Sequence, residues 1–318
     1  MATIHILNVG KGDCSIIQHK DKKVTVIDCC KACNPGEEKE ENSNPINVLK
    51  TILKEKEQIF RFILTHPDMD HLDGLAVLNK TFGITNFWDI DNNKEMDFSG
   101  DSNSGEFDEE DWKCYQALRI SKSNPKALHY LEGNATKYFA YDGNGNKLND
   151  DYLQILSPTK QMIKSAKSKQ ASEWNDCSYV ILYTVEGRKI LFCGDAEKKV
   201  MDYLLDKHKQ DIKNIDVLIA PHHGRKISDD YSYLDVMSPK LVISEEVNDE
   251  FVSKKVYEDR NIILLTKRNA KDIILGVIKG RIIVMCADKR YAATYVSKNN
   301  QQTLNPSKFY PAWEITTI

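Results

Sequence analysis

The chain has 318 residues, of which 41% are hydrophobic, so it can bury a substantial core. Its formal net charge is −3 and its pI is near 6.3, so no overall positive field attracts nucleic acid, although bound metal ions can supply positive charge locally. The first residues lack the cationic and apolar segments of a signal peptide, and no run approaches the ~20 apolar residues of a membrane span. These features predict a soluble, cytoplasmic protein that works without a membrane.

In the first third of the chain, hydrophobic patterning predicts four strands and two helices. The strands cover 3–9, 14–18, 24–28 and 60–65, and the helices cover 46–57 and about 74–79. The turn Gly10-Lys11-Gly12-Asp13 joins the first two strands.

The stretch from residue 86 to about 150 differs from the rest of the chain. It is acidic and rich in Asn, Gly and Asp, and only 108–121 shows the pattern of a helix. We interpret the remainder as an elaborated loop or insertion over the core, because such long loops are uncommon unless they are disordered or functional, often as lids. This stretch is called the acidic segment below.

Regular patterning resumes at residue 153 and continues to residue 285. Strands are predicted at 153–158, 179–183, 189–193, 217–220, 241–244, 262–265, 273–278 and 281–285, and helices at 196–208 and 229–237. Strands with interposed helices predict an α/β layered fold. Since no internal repeat is present, we expect a single domain over 1–318.

Eight cysteines are spread along the chain: Cys14, Cys29, Cys30, Cys33, Cys114, Cys177, Cys193 and Cys286. Most lie in apolar surroundings, where a thiol behaves as a small hydrophobic group. Cys30 and Cys33 have the C-x-x-C spacing, but no second pair completes a four-thiolate zinc site. We therefore expect reduced thiols without disulfides, and a structural zinc at this pair is the less favoured interpretation.

The stretch His66-Pro67-Asp68-Met69-Asp70-His71 holds four potential metal ligands within six residues, directly after a predicted buried strand. A tight loop at a strand end can turn all four side chains toward one point. Imidazole and carboxylate together suit Zn, Mn or Fe, and four ligands so close can begin two adjacent sites.

Three further segments place potential ligands beside predicted strands: Gly194-Asp195, His222-His223-Gly224 and Asn175-Asp176-Cys177-Ser178. Taken alone, Asp195 would cap the following helix, and the other two segments would be turns. Taken together with the first motif they indicate a metal site, because ligands at the ends of core strands form a rigid centre.

These motifs together resemble the metallo-β-lactamase-fold hydrolases. The variant with Asp68 at the third position is similar to the C-terminal metallohydrolase domain of bacterial competence DNA-uptake channel proteins, here in a free-standing form. Further matches are Val9-Gly10-Lys11-Gly12-Asp13, Asn175-Asp176-Cys177-Ser178, Pro221-His222-His223-Gly224 and Thr266-Lys267-Arg268-Asn269. The resemblance covers nearly the whole chain except the acidic segment, and it implies a four-layer αββα sandwich with a two-metal site at the edge between the sheets.

The resemblance also implies a ligand set for two divalent ions, Zn or Mn. One ion would be held by His66, Asp68 and Asp195, and the other by Asp70, His71, Asp195 and one histidine of the 222–223 pair, with His222 preferred. The family's usual third-motif histidine is missing, and Asn175 or Asp176 stands in its place. The first ion is therefore expected to have fewer ligands.

This ligand set would serve hydrolysis. Two divalent ions sharing Asp195 and a bridging water lower the pKa of that water to about 7, which makes hydroxide available at neutral pH. Asp70 would orient the hydroxide, and His223 would donate a proton to the leaving group or bind a phosphate oxygen. Accessory candidates beside the motifs are Asp13, Asn175, Asp176, Ser178, Lys11 and Arg225. The two basic members would contact an anionic substrate, although a solvated surface is the more ordinary role for each.

The oxygen-rich ligands and the competence-type resemblance favour a phosphodiesterase or nuclease, whose substrate contains phosphate and includes DNA or RNA. The alternatives are a hydrolase of small esters, lactones or lactams, and a catalytically silent, metal-stabilised partner module. Two departures leave substrate choice open. No membrane channel accompanies the domain, and Cys29-Cys30 stands where the family usually has glycines.

Overall fold

The structure is a computed structural model that describes residues 1–34, 36–37, 42–98, 107–136, 138–148, 150–169, 174–246, 250–298 and 312–315. Within these residues the chain forms two β-sheets with helices on their outer faces. The strands are β1 Ala2–Ile6, β2 Ser15–Gln18, β3 Val24–Ile27, β4 Ile59–Ile63, β5 Ile84–Trp88, β6 Lys126–Leu128, β7 Tyr152–Ser157, β8 Val180–Val185, β9 Arg188–Phe192, β10 Val217–Ile219, β11 Leu241–Ser244, β12 Ile263–Thr266, β13 Ile273–Ile278, β14 Arg281–Cys286 and β15 Ala312–Ile315. The helices are α1 Pro45–Ile52, α2 Leu75–Phe82, α3 Glu109–Leu118, α4 Lys160–Lys169, α5 Lys198–Lys207, α6 Ser232–Met237, α7 Lys254–Glu258, α8 Lys267–Ala270 and α9 Lys289–Lys298.

The strand order brings several carboxyl ends to one edge of each sheet. The first sheet has the order β15-β14-β13-β1-β2-β3-β4-β5-β6, and the second has the order β12-β11-β10-β9-β8-β7. Strands β3 to β6 run parallel to one another, as do β9 to β12. Side chains that directly follow the carboxyl ends of these parallel strands therefore lie along one edge of each sheet.

Three apolar layers hold the elements together. The strand β4 shows the alternation, since Ile63 packs between the two sheets whereas Phe62 packs against the helices α1 and α2. The third layer lies between the second sheet and α5 and α6, where Leu191 and Leu218 pack against Leu204. The predicted four-layer α/β sandwich is confirmed.

Most predicted elements are present, with altered ends. The helix predicted over 46–57 is shorter, because Asn44 caps it at Ile46 and the chain leaves helical geometry at Leu53. The helix predicted over 108–121 is α3. Helices α4 and α9, of ten residues each, and the short α7 and α8 were not predicted.

The interpretation of the acidic segment as mostly loop is wrong for two of its parts. Its start completes β5, and β6 adds a further parallel strand to the sheet, while α3 packs on α2. The strand β6 has only three residues, too few for alternation to show in the sequence. Residues 99–106, 137 and 149 of the segment lie outside the described residues. A single domain with this segment as an insertion stays a prediction.

The cysteines, all of which lie in described ranges, form no disulfide bond, as predicted. Across the described part of the chain, no helix is both long and apolar enough to cross a membrane.

Candidate metal centre

The predicted ligand motifs meet at one place because of strand direction. His66 follows β4, Asp195 follows β9, and the histidine pair 222–223 follows β10. Ser15 pairs with Ile27 in antiparallel register, so the turn before β2 lies at the same edge as the end of β3. The same reasoning places the turn before β8 at the edge where β9 ends.

The loop after β4 folds around a short 3₁₀ turn, Met69–His71, which buries His71 and leaves Asp68 and Asp70 partly exposed. The turn before β2 lies directly against this loop. Gly12 has a φ of +122°, and a Cβ on it would lie 2.3 Å from the carbonyl oxygen of Asp70. Only glycine lets the two backbones approach so closely.

Asp195 is the central side chain of the cluster, and it is buried. Its Oδ1 lies 3.2 Å from His71 Nε2 and 3.3 Å from His223 Nε2. Asp70 Oδ2 lies 3.5 Å from the same nitrogen of His223 and 3.9 Å from that of His71. These four side chains form one potential binding position, called the second position below.

The other oxygen of Asp195 faces a different group of side chains. Its Oδ2 lies 3.8 Å from His66 Nε2 and 3.5 Å from His222 Nε2. Asp68 Oδ1 lies 3.7 Å from the same nitrogen of His66. His66, Asp68 and Asp195 Oδ2 define another potential binding position, called the first position below, and the ligand assignment from the resemblance stays a prediction.

The pair of histidines takes the opposite arrangement to the preferred one. His223 rather than His222 lies beside Asp70 and His71, and it is buried, whereas His222 is 23% exposed. Both residues have a positive φ, +47° and +58°, in the turn after β10. This turn geometry sends the two rings in different directions, which the sequence pattern did not reveal.

The donor atoms fit a divalent ion. His66 Nε2, His71 Nε2 and Asp195 Oδ1 are buried and make no hydrogen bond within the described residues. Four tetrahedral ligands at ~2.1 Å from a zinc ion lie ~3.4 Å apart, which is close to the separations of 3.2–3.9 Å around the second position. Buried polar atoms without partners are costly, so a cation bound between them would stabilise the arrangement.

Two carboxylates, the buried Asp28 and the partly exposed Asp13, lie beside the Nδ1 atoms of the histidines of the second position. Asp28 Oδ2 accepts from His71 Nδ1 at 2.9 Å and from the hydroxyl of Thr65, while its Oδ1 accepts from the backbone N–H of Thr65. Asp13 Oδ2 lies 3.3 Å from His223 Nδ1. In both histidines the Nε2 atom is therefore left to face Asp195, which is the usual arrangement of metal-binding imidazoles.

Asp13 in turn is held by a buried lysine. Lys267 Nζ donates to Asp13 Oδ1 at 2.7 Å and to the carbonyl oxygen of Gly12 at 3.0 Å. Burial raises the pKa of Asp13, but Lys267 and His223 outweigh that effect and bring it below its usual value. A carboxylate oxygen of Asp13 also lies within 4.8 Å of ligand atoms of His71, Asp195 and His223, so Asp13 is a further potential ligand.

The electrostatics of the cluster favour positive charge. Burial lowers the pKa of His66, and His71 lowers it further, so the His66 imidazole is neutral. Burial also lowers the pKa of His71, but Asp195 and Asp28 outweigh it and raise that pKa well above its usual value. Burial raises the pKa of Asp195, yet His223 and His71 hold it well below the usual range. Such a cluster attracts a cation, whether a proton or a metal ion.

The remaining predicted accessory residues lie around the centre rather than in it. Asp176 Oδ2 is 3.3 Å from Lys199 Nζ, and Asn175 lies in the same turn. Ser178 is fully buried, and a Cβ on Gly194 would lie 3.2 Å from its Cβ. Arg225 is exposed and its NH1 lies 3.7 Å from Glu250, while Lys11 is exposed and, in the described part of the chain, forms no ion pair.

Three residues at the centre were not assigned a role from the sequence. Asp28 ends β3, so the pattern of a carboxylate after a strand was present. Lys267 lies in a motif that was noted without a role. Lys94 donates to Asp68 Oδ1 at 2.6 Å, and nothing in the sequence indicates this contact from the acidic segment.

Comparison with known proteins finds similar structures at low sequence identity but no sequence match. No family model matches the sequence, and no curated protein matches it either. A mutant of the β-hydroxylase CmlA is similar in structure, with a TM-score of 0.51 and 10% identity over 87% of this chain, which spans 54% of that protein. Zn²⁺-bound PqqB from Methylobacterium extorquens has a TM-score of 0.47 and 8% identity over 86% of this chain and 100% of its own. The metallo-β-lactamase SMB-1 has a TM-score of 0.37 and 12% identity over 69% of this chain and 76% of its own.

At such identities the similarity concerns the fold alone. The fold is the αββα sandwich of the metallo-β-lactamase type, and that prediction is confirmed. The closer resemblance to the competence-type domain stays a prediction.

Proposed function

We propose that this protein is a metal-dependent hydrolase that cleaves phosphodiester bonds, as a nuclease or phosphodiesterase. The observation that carries the proposal is the convergence of His66, His71 and His223 on the two oxygens of the buried Asp195. Divalent ions held there, Zn or Mn, supply Lewis acidity and lower the pKa of a water molecule so that hydroxide forms at neutral pH.

The side chains of the chain then divide the remaining tasks. Asp70, whose side chain is partly exposed, would bind an ion through Oδ2 and leave its other carboxylate oxygen to orient the attacking water toward the substrate. His222 is the more exposed histidine of its pair, so it takes the role of proton donor to the leaving group that the sequence suggested for His223. His223 is a ligand in this arrangement.

Phosphate is favoured over an amide or ester carbonyl for two reasons. The ligands are rich in carboxylate oxygen, which suits hard divalent ions that bind phosphate oxygens. Lys94 adds a positive charge beside Asp68. The exposed Lys11 lies two residues before Asp13, and the exposed Arg225 lies two residues after His223. Positive charge from these three side chains near the metal centre would attract an anionic substrate, although the net charge of the chain is −3.

The test is hydrolysis by purified protein loaded with Mn²⁺ or Zn²⁺. Substrates are single- and double-stranded DNA, RNA and bis-p-nitrophenyl phosphate, beside a p-nitrophenyl ester, a lactone and a β-lactam. We expect phosphodiester cleavage that is lost in Asp195→Ala and in Asp70→Asn. Asp216→Asn, which changes a buried carboxylate at the other end of β10, should retain it.

Each other outcome would redirect the assignment. Cleavage of the ester, lactone or lactam without phosphodiester cleavage would establish the small-ester alternative. Bound metal without turnover of any substrate would establish the silent partner module.

A further inference from the structure

Lys94 occupies a contact that an ion in the first position would need. Its Nζ lies 2.6 Å from Asp68 Oδ1, and this same oxygen is the one that faces His66 Nε2 at 3.7 Å. An ammonium group and a metal ion would therefore compete for one carboxylate oxygen.

The acidic segment holds Lys94 in place. The backbone N–H of Lys94 donates to Asn92 Oδ1 at 3.0 Å, and Asn92 Nδ2 donates to the hydroxyl of Tyr115 at 2.7 Å. Arg119 NH2 donates to the backbone carbonyl of Asn92 at 2.8 Å, and its Nε lies 3.1 Å from the buried Asp89. Helix α3 thus fixes the loop that carries Lys94, whose side chain is only 13% exposed.

The two positions also differ in their own ligands. The second position has two imidazoles, of which His71 is oriented by the buried Asp28, and His223 lies 3.3 Å from the partly exposed carboxylate of Asp13. At the first position, His66 Nδ1 lies 3.2 Å from a neutral hydroxyl, that of Thr65. The other imidazole there, His222, is 23% exposed, and its Nδ1 lies 3.5 Å from the exposed carboxylate of Glu197. An oriented, more basic ligand set binds a divalent ion more tightly, so the second position is the stronger one.

We infer that the protein retains one tightly bound divalent ion, at the second position, and that Lys94 supplies the second positive charge of the centre. The first position then binds an ion only weakly, because the ammonium holds Asp68. This inference rests on the metal centre of the proposed function. It replaces the two ions expected from the sequence, of which the first had fewer ligands, with one ion and one lysine.

The experiment counts metal and needs no substrate. Wild type, Lys94→Met and Lys198→Met are loaded with Zn²⁺ or Mn²⁺, dialysed against metal-free buffer and analysed for metal content, and affinities are measured by titration with the metal alone. Lys198 forms a matched pair with Asp202 at 2.5 Å on the exposed face of α5. We expect one retained ion in wild type and in Lys198→Met, and two in Lys94→Met, where the first position gains about ten- to a hundredfold in affinity.

A second variant tests the inference if Lys94→Met does not fold. Asp68→Asn removes the contested carboxylate and should still retain one ion. Two ions retained by wild type, one ion retained by a folded Lys94→Met, or loss of the retained ion in Asp68→Asn would each overturn the inference alone. Absence of any bound ion in wild type would overturn the proposed function with it.

Discussion

Asp28→Asn tests whether a buried carboxylate outside the ligand set controls metal binding. Asp28 is 1% exposed, and its two oxygens accept from the backbone N–H of Thr65 at 2.7 Å, from the Thr65 hydroxyl at 2.7 Å and from His71 Nδ1 at 2.9 Å. An asparagine fits the same space but replaces one acceptor with an amide N–H₂ donor. That donor would face Nδ1 of His71, which must then accept, so the proton moves to Nε2 and removes the lone pair that binds metal.

The expected magnitudes follow from these contacts. Changing such a partner of a metal-binding histidine costs about ten- to a hundredfold in affinity, or about 1.4–2.8 kcal/mol. Loss of a charge-assisted hydrogen bond also lowers the free energy of unfolding of the metal-free protein by about 1.5–3 kcal/mol. Both effects come from one carboxylate, so the affinity loss must be separated from the stability loss.

Asp216→Asn supplies that separation. Asp216 is also buried, and it accepts from Arg188 NH1 at 3.1 Å, from Lys240 Nζ at 2.9 Å and from the backbone N–H of Lys189 at 3.0 Å, at the end of β10 far from the ligands. We measure metal affinity by titration and stability by urea unfolding with chelator present. Asp216→Asn should lose stability and keep its affinity for metal. Unchanged affinity in Asp28→Asn, or an equal loss in both variants, would refute the tautomer argument.

Two further predictions concern stability. Asp111 accepts from the backbone N–H groups of Gly74 and Ala76 at 2.7 and 2.8 Å, so Asp111→Ala should cost about 2–4 kcal/mol in urea unfolding. Burial raises the pKa of Asp111 to about 6, so the stabilising contribution of this side chain should fall as pH rises from about 4 to 6. The difference in unfolding free energy between wild type and Asp111→Ala should narrow over the same range. The second prediction concerns metal removal. With free metal at a thousand times its dissociation constant, adding chelator should lower the unfolding free energy of wild type by about 4 kcal/mol and leave that of Asp195→Ala unchanged. Equal responses of the two proteins would contradict a metal site at Asp195.

The fold was largely predictable because its strands are buried on both faces. The runs that became β4, β9, β10 and β11 are mostly apolar and almost entirely buried, which is typical of parallel strands between layers. The failures have equally local causes. Strand β6 is too short to show a period, and the acidic composition around it hid the fact that the segment extends the sheet.

The centre was predictable in position but not in detail. Ligands after parallel strands must meet at a sheet edge, so the sequence placed Asp195 and the histidine pair correctly beside His66. The assignment within the pair depended on two positive φ angles in one turn, which no residue pattern encodes. The contacts of Lys267 and Lys94 depend on residues 254 and 26 positions away, and only tertiary structure brings them together.

The missing third-motif histidine and the presence of Lys94 are consistent parts of one arrangement. A histidine would add a neutral ligand and favour an ion in the first position, whereas a lysine adds charge without holding an ion. In this chain the position expected for that histidine is a turn with Asp176, which pairs with Lys199, and the cation comes instead from the acidic segment. Helix α3 anchors that segment through Asn92. The positive charge at the first position is therefore present whenever the chain is folded, and it does not depend on the concentration of metal.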